Sequence, residues 1–374
     1  MNEIDIYSAL ESENKRIFKS DNDKAPISYR LAIIIPCWKC AKEIAEMLDC
    51  ILQQTFQDWH VFCIDDQSPD GTAETLEQYA QKDPRIHFKI RDREPKGAQT
   101  CRNMGFSLSE GAEYVIWLDA DDLIAPYCFE QRVRYMDNHK ELDFGIFPAK
   151  NFTTDIWDKD SGKCYGFPFF DDSLQAMLTW LLPMVGWTNI YRRKSILDYQ
   201  LKWDENILSM QDSDFNIQGI LKGLKYNYAV KEWAKVDLFH RFGYNPTSIA
   251  QGIHSPAHFK SHIYLLNKIT ESLNHDQLIY YKKDLELYFF KFAIIIKKQA
   301  ESYKQFIKLP WVKKNISFYI RLWLWRFFRF HFGYSLIFRN LNKKRISTRN
   351  DWYSRMKEKT NDIINSKNWQ KNSF

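Results

Sequence analysis

The chain reads as an α/β protein built on a mostly parallel sheet, and two observations predict this. Short, continuous apolar runs such as LAIIIP (31–36) and WHVFCID (59–65) have the character of strands buried on both faces. Amphipathic helical segments alternate with these runs across short connections, the pattern of helices laid on both sides of a parallel sheet.

The first run leads through PCWKC into a helix, AKEIAEMLDCIL (41–52), whose Ile44, Met47, Leu48, Ile51 and Leu52 share one face. The second strand runs through DDQSPDGT into a helix over 72–82; Asp70-Gly71 makes the turn and Thr72 can cap the helix. A third strand, RIHFKIRD, precedes a helix from GAQT that ends near Gly111, and EYVIWLDADD (113–122) supplies a fourth strand. After about residue 145 the alternation breaks down. FPFFDDSLQAMLTWLLPMVGWTNIYRRKSIL mixes aromatics, a helix and a Gly-Trp turn; DENILSMQDSDFNIQGILKG reads as a loop running into a helix; from about 256 the chain is mainly helical. The organisation expected is a polar extension over 1–30, an α/β domain over 31–255 and a helical, basic region over 256–374.

Composition narrows the classes. Of 374 residues 45% are hydrophobic and 27% charged, enough for a packed core, and a net charge of +6 is too mild to imply nucleic acid. Seven scattered cysteines, none in the last 210 residues, make no disulfide framework and suit a reducing compartment. The N-terminus has no apolar core of a secretion signal, and no uninterrupted apolar run reaches the length of about 18 residues that a spanning helix requires. Cys37 and Cys40 form a C-x-x-C at a helix start, the setting of an activated thiol pair; no second Cys/His pair with ligand spacing stands nearby to complete a zinc site.

Carboxylates carry the strongest chemical signal. Asp119-Ala120-Asp121-Asp122 follows four apolar residues, and a strand ending in a carboxylate cluster is costly unless the charges meet a cation or water. Asp119 and Asp121 share a side if the strand persists. Hard divalent cations prefer such oxygen ligands and bridge them to phosphates. A solvated acidic turn, or a cap for the next helix, explains the same residues. Asp65-Asp66 ends the second strand in the same way.

Taken in order, IIIPCWKC, ILQQTFQDWHVFCIDDQSPDGT, KGAQTCRNMG and YVIWLDADD resemble the nucleotide-sugar half of family 2 glycosyltransferases, over about residues 31–130. The resemblance implies a GT-A fold and carries roles onto matching positions. Pro36 and Trp38 fall in the loop after the first strand, with Trp38 at an aromatic position that can lie against the base; the two cysteines replace small or polar residues there. Asp66 resembles the acid that accepts from uracil N3–H, which favours a UDP-sugar. Arg102 matches the arginine of the ARN element, which either approaches the nucleotide or diphosphate or is structural. Asp119 looks like the contact to ribose or donor sugar, with Ala120 beside it, and Asp121 like the ligand of Mn²⁺ or Mg²⁺; Asp122 is a second metal candidate. SMQDSDFNIQG resembles the element that supplies the catalytic base, Asp212, although Gln211 stands where Glu is frequent and Asp214 is a nearby rival. Trp187 falls near the acceptor and donor sugar, or is a core tryptophan. HRFGYNPTSIAQG resembles the late segment that closes over the diphosphate, making His240 and Arg241 candidates, although the usual histidine is replaced near Gly243.

The segment 311–350 carries ten Lys/Arg, eleven aromatics and no acid. On a helical projection Lys314, Arg321, Arg326, Arg329 and Arg339 fall within an arc of roughly 140°, with Tyr319, Ile320, Trp323, Phe327 and Phe330 opposite. This reads as an anchor on an anionic membrane surface, against a basic helix packed on the catalytic domain or a subunit interface.

The expectation is a metal-dependent inverting glycosyltransferase that moves a sugar from a UDP-sugar to a hydroxyl of a growing glycan, including a lipid-linked one. The implied product is lipopolysaccharide or capsule, and the implied place the inner face of the bacterial plasma membrane. A catalytically silent assembly partner and a nucleotidyltransferase are the alternatives; the latter would need a glycine-rich phosphate loop, and PCWKCAKE has no glycine.

Overall fold

The computed structural model describes residues 28–153, 164–179, 181–232, 234–242 and 255–328, with 336, 337, 339–341, 343, 344, 346, 347 and 351 beyond them. The extension to residue 27, residues 243–252 of the late segment, and Arg329 and Phe330 of the tail lie outside these.

The first half follows the sequence pattern closely. Strand β1 (Tyr29–Cys37), helix α1 (Ala41–Leu52), β2 (Trp59–Asp65), α2 (Thr72–Lys82), β3 (Ile86–Ile90), α3 (Ala98–Leu108) and β4 (Ala112–Trp117) succeed one another with short turns. β1 lies between β2 and β4, parallel to both, and β3 adds to the outer edge of β2 in parallel. Gly105 lets α3 lie directly on β1, since a Cβ there would collide with the Ile34 side chain.

Two boundaries differ from expectation. Helix α3 stops at Leu108, where the Ser109 hydroxyl turns back onto the Phe106 carbonyl. Strand β4 stops at Trp117, and Asp119–Asp122 form a turn closed by Asp122 N–H on the Asp119 carbonyl. The alternation that would place Asp119 and Asp121 on one side therefore does not apply.

Beyond the turn the strands shorten to between two and four residues: β5 (Leu123–Ile124), β6 (Phe144–Ile146), β7 (Ala149–Phe152), β8 (Cys164–Tyr165), β9 (Asn189–Arg192), β10 (Tyr226–Tyr228) and β11 (Leu238–Arg241). Helices α4 (Cys128–Asn138), α5 (Ser173–Leu178), α6 (Arg193–Asp198) and α7 (Gln211–Leu221) lie among them. The main sheet runs β10-β6-β9-β4-β1-β2-β3, with β9 its one antiparallel member; a second sheet, β5-β11-β7-β8, stands beside it. Because β5 directly follows the acidic turn and pairs with β11, Phe239 facing Leu123, the end of β11 is carried to that turn.

Helices α8 (Pro256–Ser272), α9 (His275–Tyr280), α10 (Lys282–Ile295), α11 (Ala300–Phe306), α12 (Pro310–Lys314) and α13 (Ile316–Phe328) complete the described chain. They share one continuous apolar core with the sheet, α8 packing on α7 and α10 on α5. Much of the 16% aromatic content is spent there: Trp117 is ringed edge-on by Tyr191, Trp203 and Phe215 at 5.1–5.5 Å.

Candidate active site

The sites singled out in the sequence converge at the carboxyl ends of β1, β2 and β4, where an open parallel sheet presents its loops. The PCWKC loop is clamped to the loop after β2: Lys39 N–H donates to Ser68 Oγ (2.9 Å), Cys40 N–H to Thr72 Oγ1 (3.0 Å) and Asp66 N–H to the Cys37 carbonyl (2.8 Å). Thr72 is thus engaged with Cys40 and Asp70, and the first N–H of α2, that of Thr72, is met by Asp70 Oδ1 (3.3 Å). Cys37 and Cys40 are buried and unbridged, and burial beside Cys40 and Cys63 pushes the Cys37 thiol well above its ordinary pKa. An activated redox thiol requires the opposite shift, so the C-x-x-C is packing.

Pro36 ends β1 opposite Ile64, and Trp38 stands half-buried at the loop surface with the Lys96 ammonium 3.1 Å from its ring centre. Asp66 is buried and one of its oxygens is held by the Arg91 guanidinium, itself 3% exposed. Sequence reading passed over Arg91, although it lies just beyond β3 at the same end of the sheet. Asp65 turns inward, its Oδ2 accepting from Ser68 N–H (3.0 Å).

The acidic turn is the electrostatic centre. Arg102 donates to Asp119 (2.8 Å) and to the Gln211 side-chain oxygen (2.7 Å), joining the turn to the start of α7, and its guanidinium lies 4.5 Å over Trp203. Gln211 thus serves as a neutral acceptor where the family frequently has Glu. Ala120 is buried. Asp121 is half-buried, and burial together with Asp122 and Asp119 pushes its carboxyl up to about 7. Asp122 is fully buried: its Oδ1 accepts from His240 Nδ1 (2.8 Å) and Arg241 N–H (3.1 Å), while its Oδ2 has no partner. Burial alone would lower the His240 pKa, but Asp122 with Asp119 and Asp121 pushes it up to about 9.

Arg241 ties the turn to α1. Its Nε donates to the Asp121 carbonyl (2.9 Å) and its Nη2 pairs with Glu46 of α1 (2.5 Å). Trp187 is 5% exposed, stacked on His240 at 4.9 Å with Tyr165 edge-on beside it, so it supports the imidazole and offers little face to a sugar.

Asp212 and its rival separate cleanly. Asp212, in the first turn of α7, is half-buried and accepts from Gly186 N–H (2.9 Å). Burial raises its pKa; Arg102 opposes the shift and Asp119 adds to it. Asp214 is buried and taken by Lys268 of α8 (2.7 Å), a structural tie. Gly186 is glycine for space: a Cβ would stand 2.5 Å from Asp212 Oδ1 and 2.9 Å from the Trp203 ring. Gly186→Ala should therefore displace Asp212 and lower kcat at least about tenfold with an unchanged donor KM, read by steady-state kinetics.

The fit to a divalent cation can be tested on these atoms. Asp122 offers a buried oxygen without a partner beside the half-buried carboxyl of Asp121, and such oxygen donors suit a hard divalent cation. Among the described residues no group of three His, Cys, Asp or Glu could hold an ion alone, so ligand oxygens would have to complete the coordination. A cavity of about 510 Å³ opens elsewhere, beside Lys89, Arg93, Phe106, Leu197 and Trp203; none of the acidic-turn residues lines it.

Residues 32–200 match the family description "Glycosyl transferase family 2". An uncharacterized glycosyltransferase of Methanocaldococcus jannaschii is 26% identical over 59% of this chain and 74% of its own length. EpsJ of Bacillus subtilis, also described as an uncharacterized glycosyltransferase, is 25% identical over 61% of this chain and 64% of its own length. Poly(ribitol-phosphate) beta-glucosyltransferase of Bacillus spizizenii is 30% identical over 32% of this chain but only 19% of its own length. Among solved structures, S. aureus TarS residues 1-349 in complex with UDP-GlcNAc superimpose with a TM-score of 0.56 at 17% identity, over 75% of this chain and 79% of that one. The fold is GT-A, and over residues 32–200 the chain is similar to the family 2 glycosyltransferases.

Proposed function

We propose that the protein transfers a sugar from a UDP-sugar to a hydroxyl of a growing surface glycan, with inversion and with the help of Mn²⁺ or Mg²⁺. The observation that carries this reading is the pairing of two carboxylate sites across Arg102: the acidic turn on one side, and Asp212, held by Gly186 N–H, on the other. Asp212 serves as base: it takes the acceptor proton as the acceptor oxygen bonds to the anomeric carbon, and the carbon–phosphate oxygen bond breaks with its electron pair leaving on UDP. Its raised pKa strengthens it for that task. Asp121, with the unpartnered oxygen of Asp122, would hold the cation. A cation there offsets the charge that develops on the departing diphosphate. Trp38 and Asp66 form the base-binding end. With one Asp66 oxygen held by Arg91, the other is left for a single N–H donor such as uracil N3.

The product class draws on the relatives: TarS has been solved with UDP-GlcNAc, and the B. spizizenii relative is a poly(ribitol-phosphate) glucosyltransferase. Teichoic-acid-type polymers join lipopolysaccharide and capsule as products, made on the cytoplasmic side where nucleotide sugars are available. The test is UDP release from a panel of UDP-sugars, with Mn²⁺ or with EDTA. Release from one donor, abolished by EDTA and lowered at least about a hundredfold by Asp121→Ala, is expected. Silence with every nucleotide sugar would favour a non-catalytic assembly role, and release undiminished by EDTA would remove the cation from the reaction.

A further inference from the structure

We infer that α13 is a lipid-contact surface, its outward stripe seated in an anionic membrane interface. The helix is apolar on two opposite faces. Phe318, Leu322 and Trp325 are buried, with the Phe318 ring against Phe289 and Trp325 against Phe290 of α10. Ile316, Tyr319, Ile320, Trp323 and Phe327 lie within an arc of about 100° on the other side and extend over about 16 Å of helix. All five are exposed, Trp323 by 48% and Phe327 by 64%.

Two arginines of the basic arc, both in α13, turn back onto the protein. Arg321 turns to Glu286 (2.6 Å), and Arg326 lies over the Tyr303 ring (4.2 Å) and donates to the Lys297 carbonyl (2.9 Å). The helix also begins afresh after Asn315, so Lys314 belongs to α12. What points outward is an unbroken aromatic and aliphatic stripe, a costly surface to leave in water.

Charge identifies the occupant. Lys313 and Lys314 are exposed at the end of the preceding helix, and no acid occurs anywhere in 311–350 against ten Lys/Arg. A Trp/Tyr/Phe/Ile stripe in a strongly basic, acid-free segment matches a surface with an apolar interior and anionic headgroups. A like copy would bring the same positive charge against itself. Among the described residues no helix is long and apolar enough to cross a membrane, which fits contact with one leaflet. This inference stands apart from the proposed reaction.

Flotation of the full chain with vesicles of phosphatidylglycerol and phosphatidylcholine, and with phosphatidylcholine alone, tests it. The protein should float with the anionic vesicles at low salt and at least about tenfold less with neutral ones. Trp323→Glu/Phe327→Glu should reduce flotation by about the same factor with the thermal midpoint unchanged, and Lys313→Glu/Lys314→Glu should weaken it in a salt-sensitive way. Wild-type protein left unfloated by anionic vesicles overturns the inference. So does a Trp323→Glu/Phe327→Glu variant that floats normally, or a lipid-free dimer that this variant splits, which would assign the stripe to a second copy.

Discussion

Asp212→Asn is expected to lower kcat by roughly 10²–10⁴-fold, the range for loss of a positioned proton acceptor, with donor affinity nearly unchanged. Asparagine keeps the size of the side chain and can still accept the Gly186 N–H bond through its amide oxygen, so geometry is preserved while basicity is lost. UDP release with the preferred donor gives kcat, and calorimetry gives donor affinity. Wild-type turnover in this variant would remove Asp212 from the reaction. Asp214 is not a substitute, since its carboxylate is buried and committed to Lys268.

Arg132→Leu is expected to destabilise the protein by about 3–5 kcal/mol, because it leaves a buried carboxylate without its partner. Arg132 and Asp237 are both fully buried and joined by two bonds, at 2.9 and 2.7 Å; Gln131 shares the same carboxylate at 3.0 Å. Arg132 also donates to the Trp187 carbonyl (2.9 Å), while Asp237 sits immediately before β11, the strand that delivers His240. One buried pair therefore anchors both the tryptophan and the imidazole stacked on it. Urea unfolding measures the loss. The double replacement Arg132→Leu/Asp237→Leu should recover part of it, since removing both charges leaves no uncompensated ion; a single variant as stable as wild type would contradict this account.

Legibility in the sequence follows element length. Helices α1 and α2 and strand β2 occupy the residues expected, because buried strands of five or more residues and amphipathic helices of eleven or twelve leave a clear period. Strands β5 to β11, of two to four residues, carry no period of their own; their pairing is set by the packing of residues distant in sequence. The same contrast holds in the site. Asp66, Asp119, Asp121 and Asp122 stand at strand ends in recognisable strings. The tie of Asp66 to Arg91, the pairing of Asp122 with His240 and the diversion of Arg241 to Glu46 depend on side-chain geometry that no spacing records. Trp187 and Asp214 each had a structural reading and a functional one; the first is buried under His240 and the second under Lys268.

The Lys268 tie has a practical corollary for anyone dissecting the molecule. Its ammonium spans Asp204 and Asp214, so the helix bearing Asp212 is bolted to α8, which lies beyond the segment of family likeness. A clone truncated at residue 255 would expose the underside of α7 and strand the buried Asp214 and the half-buried Asp204. Exchanging only the first two hundred residues between relatives would leave that tie whole but part Asp212 from Gly186 and Arg102. The unit to transplant runs from β1 at least through α10, and a shorter graft inherits the loops at the sheet's carboxyl edge without the frame that holds Asp212.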